Sequence, residues 1–295
     1  LAREGSSTVV GVRRGLVSRV LVYGTLIVIA VTFLMPLVWM FATSLKTAPE
    51  ASRSTFSLLP TPPSAAVSNA VKNYSDVWND PTVRFPLYLR NTLIIASLSV
   101  IGMTLSSAIV AFGFARLEWR GKKALFAFVL ATMMIPFPVV MGPMFLLFSQ
   151  IGWIGSLKPL WVPAFFANAF NVFMLRQFFM GIPKELDEAA RIDGCSSWGI
   201  FWRIIVPLSK PALAVVALFH FVFVWNDFLG PLIFLNHQDQ FTLALGLQLY
   251  QSKAGQTPWN LLMSASTLVI APVLVIFLLA QGALVKSVAT TGIKG

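Results

Sequence analysis
Apolar runs without charge, separated by short polar stretches, set the pattern of this chain. Runs of about 20 or more such residues read as membrane-spanning helices, because ~20 residues at about 1.5 Å rise cross a hydrocarbon core of ~30 Å. Six stretches qualify. The first lies between Arg19 and Lys46 and the second between Arg90 and Arg116. The third begins after Lys123 and runs to about Gln150. The others cover about 160–180, 212–235 and 260–283. Barrel strands would instead alternate over ~10 residues, so the runs predict helices. The expected fold is an all-α membrane protein of six transmembrane helices. Its membrane domain covers 20–285, between an amino-terminal segment 1–19 and a tail 286–295. A long loop, 46–88, and a charged loop, 181–210, interrupt it.

The placement of Lys and Arg orients the spans. Arg3, Arg13, Arg14 and Arg19 precede the first span; Arg116, Arg120, Lys122 and Lys123 separate the second from the third. Lys184, Arg191, Arg203 and Lys210 lie between the fourth and fifth, and Lys286 and Lys294 in the tail. The two short loops on the other side hold only Lys158 and Lys253. Both termini and the 181–210 loop are therefore expected in the cytoplasm. The 46–88 loop is expected outside it, where its length makes its mixed charges uninformative. The first apolar run is about twice the usual signal-peptide core, so it is expected to remain as a helix.

Composition agrees. The chain has 57% hydrophobic and 11% charged residues, against roughly 25% charged in soluble domains. Its net charge of +11 is divided among helix ends. That arrangement fits membrane orientation and argues against a nucleic-acid surface. Cys195 is the single cysteine, which excludes an internal disulfide and a cysteine metal cluster. The sequence has no G-x-x-x-x-G-K-[ST] phosphate loop, no G-x-S-x-G and no H-E-x-x-H. No cofactor site is expected in the chain itself. His220 and His237 stand apart, and His220 is expected to hydrogen-bond between helices.

The charged loop carries the most information. Pro183 suits the first position of a new helix, where a missing N–H costs nothing. Glu185, Asp187 and Glu188 fall in its early turns, at the positive dipole end. Leu186, Ala189 and Ala190 share one small apolar face. Gly194 is placed to end the helix, and Ser196 or Ser197 to cap a second one. Trp198, Phe201, Trp202 and Ile205 give that second helix a greasy side. The residues alone leave two readings open: a loop lying on the bilayer surface, or a small-faced helix that docks into another protein.

Glu188-Ala189-Ala190, three further residues, Gly194, nine further residues and Ile204-Ile205-Val206-Pro207 resemble the EAA motif, E-A-A-x3-G-x9-I-x-L-P, of permease subunits in binding-protein-dependent ABC importers. Val206 stands where the motif has leucine. The phrase FVFVWNDFLGPLIFL at 221–235 and the end TGIKG resemble the MalG-like branch of carbohydrate permeases. The resemblance covers nearly the whole chain. It implies one membrane subunit of an ATP-driven importer of a disaccharide or oligosaccharide. The partners it implies are a second permease, two ATP-binding subunits that hold ATP and Mg, and an extracytoplasmic solute-binding protein. The loop would be a coupling helix in a cleft of an ATPase subunit, with Glu188 pairing to a basic residue there. Ala189, Ala190, Asp193, Gly194, Ile204 and Pro207 complete the matched positions, and residues 291–295 would also touch the ATPases.

Asp227 is the only acid within a span, beside Asn226 and Trp225. A mid-bilayer carboxylate costs about 2.5–3.5 kcal/mol on insertion scales, so it should face a cavity or a partner. It could line a sugar path, with Trp225 offering an aromatic face, or join the chain to its sister permease. Asn168 and Asn171 are further candidates for sugar hydroxyls. Pro136, Pro138 and Pro143 interrupt the third span. No cluster of cations lies inside the spans, which favours a neutral sugar over a glycerol phosphate; a polyol is the other alternative. A self-sufficient secondary transporter would want more intramembrane carboxylates than Asp227, and an enzyme a catalytic cluster.

Overall fold
Helices alone form the described structure, a computed structural model covering residues 16–53, 57–251 and 257–291. The side chains of 16, 17, 280 and 282–291 are outside the described set. Arg3, Arg13, Arg14, Lys253, Lys294, the Lys286 side chain and the tail beyond Thr291 therefore lie outside it too.

Helix α1 (Leu16–Ser44) is strongly apolar, and the most apolar part of Ser18–Ser44 is not buried against the rest of the protein. Val20, Ile27, Val28 and Phe33 are each more than half exposed. Each such side chain left in water forgoes roughly 1.5–3 kcal/mol, so the medium around α1 must be hydrocarbon or another apolar surface. Helix α2 (Ala66–Asn79) crosses the 46–88 loop. Helix α3 (Phe85–Arg116) is the hub. Ala108, Ala111 and Ala115 recur along it and are buried, which lets neighbouring backbones come close. Its neighbours are α6 (Ala169–Met180) and α9 (Lys210–Trp225). The last helix, α11 (Trp259–Thr291), packs on α1, α2 and α9.

By length and composition alone, the described helices account for fewer spans than the six expected. Among the described residues three helices are long and apolar enough to cross: α1, α3 and α11. Two bent pairs bring the number to five if each counts as one span. The first is α4 (Lys122–Thr132) with α5 (Phe137–Gln150), meeting at 97°. Pro136 flanks α5 at its N-cap position, and a proline there starts a helix but cannot continue one. The second is α8 (Ser197–Leu208) with α9, at 78°. Helix α8 contains a π-helical stretch, Phe201–Ile205, and Pro207 and Pro211 flank its junction with α9.

The expected fourth span, 160–180, is not one helix. A single turn (Lys158–Trp161) passes into a 3-10 stretch (Val162–Phe166), and Ala167 at φ 62° breaks the chain. The twelve-residue α6 that follows rises only about 18 Å. The expected fifth span, 212–235, also breaks: α9 ends at Trp225 and α10 (Leu229–Phe234) begins afresh.

Two buried clusters result. One joins Phe112, Leu175, Phe179, Phe201, Ile205 and Val216 near the end of α3. The other joins Val77, Tyr88, Trp225, Tyr250 and Leu262 near its start.

Candidate functional site
The charged loop folds into α7 (Glu185–Ile192) followed by α8. Three acids, Glu185, Asp187 and Glu188, occupy the first turn of α7, where the helix dipole favours them. Pro183 stands one residue before the N-cap, Lys184, rather than at the first helical position. The helix stops because Gly194 takes φ +78°, a left-handed conformation that a side chain disfavours. The Cys195 N–H then donates to the Ala190 carbonyl (2.8 Å) and the Gly194 N–H to that of Arg191 (3.0 Å), closing the carbonyl end. Ser196 caps α8 by accepting from the Gly199 N–H at 3.2 Å.

Two consecutive acids point in different directions. Asp187 is buried, with Oδ2 3.6 Å from Arg116 Nε at the end of α3. Arg116 Nη2 donates to the Ile182 carbonyl at 2.8 Å, just before α7. Glu188 is exposed, as are Ala189, Asp193, Gly194 and Pro207. Ala190 and Ile204 pack instead on the inner cluster. Leu186 (43% exposed) and Ile192 (87% exposed) leave apolar surface on the helix, Ile192 one turn beyond Glu188 on its side. On α8, Phe201 and Ile205 turn inward, whereas Trp198 and Trp202 stay half exposed, against the expectation of one greasy face. The loop thus presents an acid and unpartnered apolar side chains while Asp187 and Arg116 hold it from behind. Arg116 and Asp187 escaped the sequence reading, which offered only a cation ending an apolar run and one acid among several.

The second feature is a cavity of about 690 Å³ walled by α3, α5, α9, α10 and the 3-10 stretch before α6. That volume lies within the range of small-ligand sites. The chain breaks described above supply its polar groups. Asn168 Oδ1 accepts from the Phe170 N–H (2.9 Å) and the Asn171 N–H (3.4 Å), capping α6. Asp227 Oδ1 accepts from the Gly230 N–H at 3.0 Å, capping α10. A Cβ at Gly230 would fall 2.4 Å from Asp227 Oδ2, so only glycine permits this approach. His220 Nε2 and Ser99 Oγ, 2.8 Å apart, bridge α9 to α3 as the sequence led us to expect, and both line the cavity.

Not every candidate reaches it. Trp225 is 1% exposed; its Nε1–H donates to the Val269 carbonyl (3.0 Å) and its ring packs on Phe221. It holds α9 to α11 instead of facing a sugar. Asn171 is buried and outside the cavity wall, and Asn226 is exposed with Nδ2 donating to the Val222 carbonyl. Arg176 is engaged internally, its Nε donating to the Phe114 carbonyl and its guanidinium lying over the Phe126 ring.

Residues 102–290 match the family described as binding-protein-dependent transport system inner membrane component. The trehalose/maltose transport system permease protein MalG of Thermococcus litoralis is 32% identical over 96% of this chain and 99% of its own. The arabinooligosaccharides transport system permease protein AraQ of Bacillus subtilis is 34% identical over 76% of this chain and 78% of its own. A chain in the crystal structure of a bacterial ABC transporter that imports the acidic polysaccharide alginate superposes with a TM-score of 0.78. It shares 22% identity and aligns over 90% of this chain and 96% of that one, showing a common fold.

Proposed function
Because the chain belongs to the family of binding-protein-dependent transport system inner membrane components, we propose that it is one of two membrane subunits of an ATP-driven importer of neutral disaccharides or oligosaccharides. Its partners are a second permease, two ATP-binding subunits that hold ATP and Mg, and an extracytoplasmic solute-binding protein. Both termini and α7 lie in the cytoplasm in this reading, following the basic residues of the loops. The observation that carries it is the construction of α7. It exposes Glu188 with Ile192 one turn on, and Leu186 on another side, while Asp187 fastens the helix to α3. An exposed apolar surface beside a charge fits a protein partner. The sugar relatives and the cavity point to the cargo. No Lys or Arg stands among the described residues of the cavity wall, so an anionic sugar would find no counter-charge there.

The test is reconstitution of the complex with its binding protein in liposomes. ATP-dependent uptake of a neutral oligosaccharide is expected, with no ATP hydrolysis by this chain alone. Glu188→Lys is expected to leave assembly intact and abolish uptake, by setting a like charge against a basic partner. Normal uptake by an assembled Glu188→Lys complex would refute the docking role.

A further inference from the structure
Three charged residues are buried among the described ones: Lys46, Arg116 and Asp187. Lys46 belongs to the start of the 46–88 loop. The other two face each other across the joint between α7 and α3. Arg116 is the last residue of α3 and grips α7 twice, at the Ile182 carbonyl before it and at the Asp187 carboxylate in its first turn. The main packing of α7 otherwise is on Ser197–Ile200, the start of α8. Apolar contacts such as Phe112 with Phe201 also join α3 to the loop, at α8, but the charged hold of the long helix on α7 passes through Arg116.

The grip is incomplete. At 3.6 Å the Nε–Oδ2 contact is an ion pair beyond hydrogen-bond length. Arg116 Nε and Nη1 and Asp187 Oδ1 make no hydrogen bond among the described residues. Guanidinium and carboxylate are shaped for a bidentate contact, and this pair stops short of one. An attraction between buried charges acts over several ångströms, so a small shift of α7 changes the geometry without releasing the pair.

The same helix reaches the cavity. Ser99 and Met103, on its wall, lie on α3 about 25 Å and 20 Å along the axis from Arg116. We propose that Arg116 and Asp187 form the strut that carries displacement of α7 to the cavity wall. Arg116 is a positioning residue, and the pair tightens toward bidentate contact when α7 is driven inward. The inference rests on the proposed importer function. It adds to that reading the element through which the docking surface acts on the path.

The test uses the assembled complex in liposomes, with Cys195→Ala and a single reporter cysteine replacing Met103. In the parent complex, labelling of the reporter by a water-soluble thiol reagent should differ between nucleotide-free and ATP-bound states. Arg116→Met with Asp187→Leu replaces the pair by apolar side chains of similar size, a change that buried pairs commonly tolerate. This complex should assemble and hydrolyse ATP, yet its reporter should no longer respond to nucleotide. Sugar taken up per ATP hydrolysed should fall roughly tenfold or more, the scale of a typical coupling between sites. Arg116→Lys, which keeps the charge but not the fork, should give an intermediate loss. An unchanged nucleotide response in the double variant would overturn the strut. So would failure of that complex to assemble, because the pair would then serve only to hold the fold. A parent complex that responds to nucleotide but imports no sugar would strike the proposed cargo and leave the strut standing.

Discussion
Two polar junctions secure the long helices, and they are built in opposite ways. The first lies where α1 ends and α11 begins, beside α2. There Asn73 Nδ2 donates to the carbonyls of Ser44 and Lys46, both at 2.8 Å, and its Oδ1 accepts from Asn260 Nδ2 at 2.8 Å. Ser44 Oγ lies 3.0 Å from the Tyr74 hydroxyl, and Ser264 Oγ donates to the Asn260 carbonyl. Every polar atom of the Asn73 side chain is used. The second junction, Arg116 with Asp187, is charged and leaves Arg116 Nε and Nη1 and Asp187 Oδ1 without a hydrogen bond. Hydrogen bonds between neutral groups weaken steeply with distance and angle. They fix one geometry. Buried charges attract over a longer range and tolerate displacement. The Asn73 knot thus suits a part of the membrane domain that stays still, and the Arg116–Asp187 pair suits a joint that moves.

The largest expected effect comes from halving the charged joint. Arg116→Met strands the Asp187 carboxylate in the interior and should cost about 3–5 kcal/mol, the usual result of breaking a buried pair on one side. Adding Asp187→Leu should return stability to within about 1 kcal/mol of the parent. Thermal unfolding of the purified complex in detergent measures both. Equal losses in the single and double variants would mean that the pair is not a charge pair in solution, and the contrast would collapse.

A smaller loss is expected at the neutral knot. Asn73→Leu removes three hydrogen bonds and leaves the Ser44 and Lys46 carbonyls and the Asn260 amide without their partner. The expected cost is about 2–3 kcal/mol, given partial repair by water at this loop-side position. Transport per ATP should be unchanged in complexes that assemble, because this junction holds and does not relay. A drop in that ratio at normal stability would show that the two junctions do not differ in role.

The loop at 181–210 was legible in the sequence because its signals are local. A glycine at the end of α7, a serine cap and acids in a first turn each act within a few residues, and the EAA spacing sums them. The long spans α1, α3 and α11 were legible for the same reason, from uninterrupted apolar runs. The broken spans were not. Hydropathy averages over a window, so 160–180 and 212–235 read as helices although Ala167 and the Asn226–Asp227 pair break them. Asn168, a candidate for sugar hydroxyls, and Asp227, a candidate for the path or for the sister permease, both line the cavity, but their capping of α6 and α10 through backbone amides is not visible in hydropathy. Trp225 illustrates the remaining gap. Its place beside polar residues suggested a path, but which way a ring faces depends on α11, some forty residues later. The choice of Asp187 over Glu188 for the interior depends in the same way on where α3 ends.

The smallest expected effect sharpens the contrast at the knot's own edge. Glu50 Oε2 accepts from the Thr47 N–H and hydroxyl, and its Oε1 from the Thr61 N–H at 2.9 Å, tying the start of the 46–88 loop together beside Lys46. The Thr61 amide, and then that of Thr47, hold this carboxyl below the usual carboxylate value. A group whose folded pKa is lowered stabilises above its unfolded pKa and loses that contribution as pH falls through the folded one. Acidification should therefore loosen the Thr47–Thr61 tie, by no more than about 0.5 kcal/mol at so exposed a site. Hydrogen exchange at the Thr61 amide should show protection at neutral pH that declines in acid, beyond the intrinsic pH dependence of exchange. In Glu50→Gln, which cannot titrate, protection should be low and flat. The Asn73 knot, made of amides and hydroxyls, should keep its protection over the same range. If the Asn260 and Ser264 amides lost protection together with Thr61, the knot would be coupled to a titrating group and would no longer stand as the fixed member of the pair.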